Sequence, residues 1–158
     1  MKASTINELK NELKEISQPE TVELCLRLAR FKKENKELLT YLLFEAHDEP
    51  GYIKNVKKTI DDQFEEINHT SLYFVKKSLR KILRTINKHI RYTGSKLAET
   101  ELLIYFCQKI KELKIPVHKN KALANLYENQ LKKIKLVVEG LHEDLQYDYL
   151  KEVDLLQD

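Results

Sequence analysis

Residues 72–92 read LYFVKKSLRKILRTINKHIRY, and their apolar members Leu72, Val75, Leu79, Ile82, Leu83, Ile86 and Ile90 recur at three and four. That spacing returns to one side of a helix at 100° per residue, so the stretch is an amphipathic helix with one buried face. On the same wheel Lys77, Arg80, Lys81, Arg84, Lys88 and Arg91 gather on the opposite side, with Tyr73 near them and Phe74 and Tyr92 at the edge. From Ile67 to Ala98 there is no Asp or Glu, while eight cations fall inside, against a whole-chain charge of only +3. The remainder of the chain is therefore net acidic, and charge is strongly segregated.

The same three-and-four spacing runs outward in both directions. Upstream, Ile53, Val56, Ile60, Phe64 and Ile67 form a narrow stripe, and His69-Thr70-Ser71 breaks and caps between the two helices. Downstream, Thr93-Gly94-Ser95 supplies a C-terminal glycine and the next cap. The following helix carries Leu97, Leu102, Ile104, Tyr105, Phe106, Cys107, Ile110 and Leu113, and stops before Ile115-Pro116. The last segment keeps Tyr127, Leu131, Ile134, Val138, Leu141, Leu145 and Tyr149 in phase across Gly140, which predicts one long helix with a weak point at that glycine.

Toward the N-terminus, Ile6, Leu9, Leu13 and Ile16 predict a short helix capped by Ser4 or Thr5. Pro19 suits the first turn of a second helix, whose apolar set from Val22 to Phe31 is wide enough to predict cover on two sides. Asn35 is the expected cap of a third helix, which ends before Asp48-Glu49-Pro50-Gly51. The whole chain thus reads as all-α: six or seven helices and no strand, arranged as antiparallel helix hairpins in a bundle or a short α-α superhelix. A single domain over residues 1–158 is the expectation for this length.

The helix pairs at 19–47 and 52–92 resemble those of HEAT and armadillo superhelices over about half of the chain. The resemblance implies stacked helix pairs. It brings no functional residue with it, because no motif repeats at a fixed period; a plain orthogonal or up-and-down bundle fits the same pattern.

Composition narrows the function classes further. Three Gly and three Pro among 158 residues leave few turn formers, and no window reaches the ~18 continuous apolar residues of a membrane span. The opening MKASTINELKNELKE has no signal-peptide core. Cys25 and Cys107 lie within apolar helical patterns without metal-ligand spacing and are expected as reduced core thiols in a cytoplasmic protein.

Two Glu-x-x-His spacings, Glu66 to His69 and Glu139 to His142, match the way di-iron bundles place ligands. The first falls off its helix's apolar stripe and the second straddles Gly140, so neither is read as a metal site. His47, His89 and His118 have no nucleophile or acidic orienter at useful spacing, and neither a catalytic set nor a cofactor is expected.

What remains is a contact surface of Tyr73, Lys77, Arg80, Lys81, Arg84, Lys88 and Arg91. A partner protein or a second copy is the first expectation, and a nucleic-acid backbone the second. The expected internal counter-charge comes from Asp61, Asp62, Glu65 and Glu66 before the basic helix, or from the acidic tail after Glu139.

Overall fold

A computed structural model describes residues 1–157, and among them the only regular structure is helical. The chain divides into two compact units, Met1–Phe44 and the residues from Glu45 onward.

The first unit holds α1 (Ile6–Glu15), α2 (Gln18–Phe31) and α3 (Lys33–Thr40), followed by a π turn, Tyr41–Glu45. Both of the first two helices open with a capping box. The Thr5 N–H donates to Glu8 Oε2 at 2.7 Å and Ser17 repeats the arrangement with Glu20 at 2.8 Å, so orphan donors of each first turn are satisfied locally. α2 packs on α3 across a single extended residue, Lys32.

Asn35 does not cap α3, which already begins at Lys33. Its Nδ2 instead donates back to the Leu28 carbonyl at 2.8 Å, tying the two helices together. The cover expected on both sides of α2 is also absent. No side chain of α1, α2 or α3 is buried, and Leu28 and Phe31 are 61% and 77% exposed. Cys25 is accordingly exposed rather than a core thiol.

The second unit holds α4 (Glu49–Glu65), α5 (Leu72–Thr93), α6 (Lys96–Glu112), α7 (Lys121–Val138) and α8 (Glu143–Gln157). α6 is the central element and touches all four of the others. It fits that position because it is apolar nearly all round: Ala98, Leu102, Leu103, Phe106 and Cys107 are fully buried. Phe106 meets Phe64 of α4 edge to face at 6.0 Å between ring centroids.

Pro50 and Gly51 lie within the first turn of α4 rather than in a turn before it, with Asp48 as the cap. The Asp48 Oδ1 accepts from the Gly51 N–H at 3.0 Å, and a Cβ on Gly51 would collide with that carboxylate. Gly94 ends α5 in the left-handed region at φ 59°, and Ser95 caps α6.

The long terminal helix is in fact two, which raises the count to eight among the described residues. At Gly140 the chain tightens, the Gly140 and Leu141 N–H groups donating to Val137 and Val138 carbonyls at 3.0 and 2.9 Å. α8 then returns over α6 and α7 and buries Val153 and Leu156. Burial of that second apolar stripe offsets the helix bonds lost at the break, and the roughly 1 kcal/mol that a glycine removes from helix continuity favours the break as well, a balance in-phase spacing does not display.

Candidate functional site

α5 begins where Ser71 Oγ accepts from the Phe74 N–H at 3.4 Å, and it runs unbroken to Thr93. Val75, Leu79, Ile82, Ile86 and Ile90 are buried against α4 and α6, which fixes the rotation of the helix. Lys77, Arg80, Lys81, Arg84 and Arg91 are then exposed on the outer side. From Lys77 to Arg91 this strip is about 21 Å long at 1.5 Å per residue.

Tyr73 is 61% exposed at the N-terminal end of the strip, its ring 5.4 Å from that of Phe74 and 5.6 Å from Lys76 Nζ. Lys88 is half-buried and stands apart from the open set. Tyr92, expected at the edge of the face, is buried, and its ring meets His89 edge to face at 5.9 Å.

Of the carboxylates before α5 that were expected to neutralise this strip, Asp61 is committed to α6, and two further carboxylates of α6 have partners of their own. Asp61 Oδ1 accepts from the Tyr105 hydroxyl at 2.6 Å and lies 3.3 Å from Lys109 Nζ, both on α6. Glu101 pairs with Lys57 at 2.9 Å and Glu99 with Lys133 at 2.8 Å. The acidic α8 packs on α6 and α7, held by Tyr149 to Glu101 at 3.1 Å, Lys111 to the Leu155 carbonyl at 2.8 Å and Tyr127 to the Leu156 carbonyl at 2.8 Å. Asp158, also counted in that tail, lies outside the described residues.

Among the described residues, none of Lys77, Arg80, Lys81, Arg84 and Arg91 forms an ion pair. Lys77/Lys81 and Arg80/Arg84 are like charges one turn apart, each costing about 0.2–0.5 kcal/mol. The fold therefore carries an uncompensated positive strip.

A polar cluster between α4, α6 and α8 was not legible beforehand, because its members come from three distant segments. A cavity of about 220 Å³ there is lined by Lys57, Glu101, Tyr105 and Tyr149, among others. Burial, followed by the Asp61 hydrogen bond, pushes the Tyr105 hydroxyl up to about 12. Burial and the Glu101 charge do the same to Tyr149, also to about 12. Both phenols stay protonated far above neutrality and the carboxylates have cationic partners, so this cluster ties helices together.

The two Glu-x-x-His spacings do not converge. Glu66 is the C-terminal cap of α4 with His69 in the loop beyond, while Glu139 and His142 flank the break at Gly140. His142 is exposed, with Nδ1 3.5 Å from Asp144. Among the described residues, no group of three or more His, Cys, Asp or Glu side chains is arranged to hold a metal ion. None of their helices is long and apolar enough to cross a membrane.

No family model matches this chain, and no curated protein or solved structure is detectably similar to it. The functional reading rests on its own residues.

Proposed function

We propose that this protein is a non-enzymatic helical interaction module that docks an acidic partner protein on the outer face of α5, in the cytosol. The observation that carries the reading is the strip of Lys77, Arg80, Lys81, Arg84 and Arg91, exposed and paired with no carboxylate among the described residues. A partner carboxylate placed over such a strip relieves repulsion within it as well as adding attraction, and steers the encounter. Consecutive helices joined by short links, in antiparallel hairpins forming a bundle or short superhelix, would hold the strip straight. The free thiols Cys25 and Cys107 suit a reducing compartment.

A second reading, a single-stranded nucleic-acid backbone, is favoured by one feature: Tyr73 and Phe74 present exposed rings beside the cations, as base stacking requires. Fluorescence anisotropy with labelled poly-L-glutamate and with a labelled single-stranded oligonucleotide separates the two. The module reading expects poly-L-glutamate to bind more tightly, with Lys77→Glu/Arg80→Glu/Arg84→Glu weakening it by about tenfold or more. Reversal of the exposed Lys121 and Lys132 on α7 leaves binding within about twofold. Tighter oligonucleotide binding, with a log-log salt slope near roughly -3.5 for five contacts, assigns the strip to nucleic acid instead. Binding of both probes unchanged by the triple reversal rejects either use of α5.

A further inference from the structure

The most acidic element of the chain is α8. It carries Glu143, Asp144, Asp148, Glu152 and Asp154 against Lys151 alone, and all five carboxylates are exposed. Burial of Val153 and Leu156 fixes the rotation of the helix. At 100° per residue Glu143, Asp144, Asp148 and Asp154 then turn outward, with Glu152 at the edge of the face. Among the described residues Glu143, Asp148, Glu152 and Asp154 form no ion pair, and Asp144 lies 3.5 Å from Nδ1 of its neighbour His142. The single lysine lies over the Tyr147 ring, its Nζ 4.0 Å from the centroid.

This face complements the α5 strip in sign and in spacing. Asp144, Asp148 and Glu152 recur every four residues, as do Arg80 with Arg84 and Lys77 with Lys81, so on either helix successive charges rise by about 6 Å. From Glu143 to Asp154 the acidic face is about 17 Å long, which fits within the strip of about 21 Å. Like charges one turn apart repel within each set, and laying one set along the other relieves both. Within one chain the two sets do not meet. The Tyr149, Lys111 and Tyr127 side chains hold α8 on α6 and α7, whereas α5 packs on α4 and α6, so the charged faces look out from different sides of the bundle.

We propose that copies of this chain associate head to tail, the outer face of α8 of one copy lying along the α5 strip of the next. The proposal rests on the reading of α5 as a dock for an acidic protein, and it names that protein as a second copy. The two faces differ, so the contact is heterologous: each pair leaves one strip and one acidic face open, and association continues past two copies. Built from exposed charges, it loosens as salt is added.

Sedimentation velocity of the full chain at low salt tests this across the micromolar range. The weight-average mass is expected to rise with concentration past twice the chain mass of 18.8 kDa, and to fall toward one chain mass at high salt or with excess poly-L-glutamate. Lys77→Gln/Arg80→Gln/Arg84→Gln and, separately, Asp144→Asn/Asp148→Asn/Glu152→Gln each weaken association by about tenfold or more, with far-UV circular dichroism unchanged. Mixed together, the two variants form a species of two chain masses and nothing larger, because one intact strip meets one intact acidic face. One chain mass for the unaltered protein at every concentration, association untouched by either variant, or any other mass in the mixture overturns the proposal. Should poly-L-glutamate bind α5 while the chain stays at one mass, the α5 reading stands and only the second copy is removed as its partner.

Discussion

The Tyr105 hydroxyl donates to Asp61 Oδ1 at 2.6 Å, and that bond ties α4 to α6 through a carboxylate that also meets Lys109 of α6. Its folded environment raises the phenol to about 12 from an ordinary 10, and the neutral form is the one the fold favours. The unfolded chain therefore releases this proton first as pH rises. Stability contributed by Tyr105, and likewise by Tyr149, is complete below pH 10 and lost between 10 and about 12. Thermal melts across that interval should fall in midpoint, and Tyr105→Phe with Tyr149→Phe should flatten the decline.

Arg84 lies one turn from Arg80, so reversing its charge turns that repulsion into an attraction. Arg84→Glu should stabilise the protein by about 0.5–1 kcal/mol at low salt. For a chain of this size that is a rise in Tm of about 1–4 °C, shrinking as salt screens the helix face. A substitution that strengthens the fold while weakening poly-L-glutamate binding would separate the strip's role in association from any role in folding.

Cys25 is exposed and Cys107 fully buried, where burial pushes the thiol up to about 12. A thiol-reactive dye should therefore label one cysteine per native chain and two in denaturant. Cys25→Ser abolishes the native reaction; Cys107→Ser leaves it intact.

The capping carboxylates Glu8 and Glu20 are held below the ordinary 4.5, chiefly by the backbone N–H groups of Thr5 and Ser17. A lowered carboxylate supports folding above its unfolded value and loses that support as pH falls through the folded one. Helix content should therefore decline below pH 4.5, and Glu8→Gln/Glu20→Gln should remove part of the decline. Far-UV circular dichroism reads both.

Local signals carried much of the architecture. Thr5, Ser71, Gly94 and Ser95 sit where caps were expected, and the α5 stripe has the expected rotation, because these depend on neighbours within a turn or two. Three features lay beyond that reach. In-phase apolar residues across Gly140 read alike for one helix and for two, and only the return of α8 onto α6 separates them. The width of the α2 face predicted burial, yet apolar width measures what a helix offers, not what covers it. The partners of Asp61 and Glu101 lie more than forty residues away, and nothing near either residue announces them.

The most direct test of the central claim is an amide chemical-shift map of the full chain titrated with poly-L-glutamate. If the open strip on α5 is the docking surface, shifts gather on Tyr73, Lys77, Arg80, Lys81, Arg84 and Arg91 and vanish in the Lys77→Glu/Arg80→Glu/Arg84→Glu protein. Shifts confined to the cations of α7 or of the first unit, with α5 silent, would contradict it.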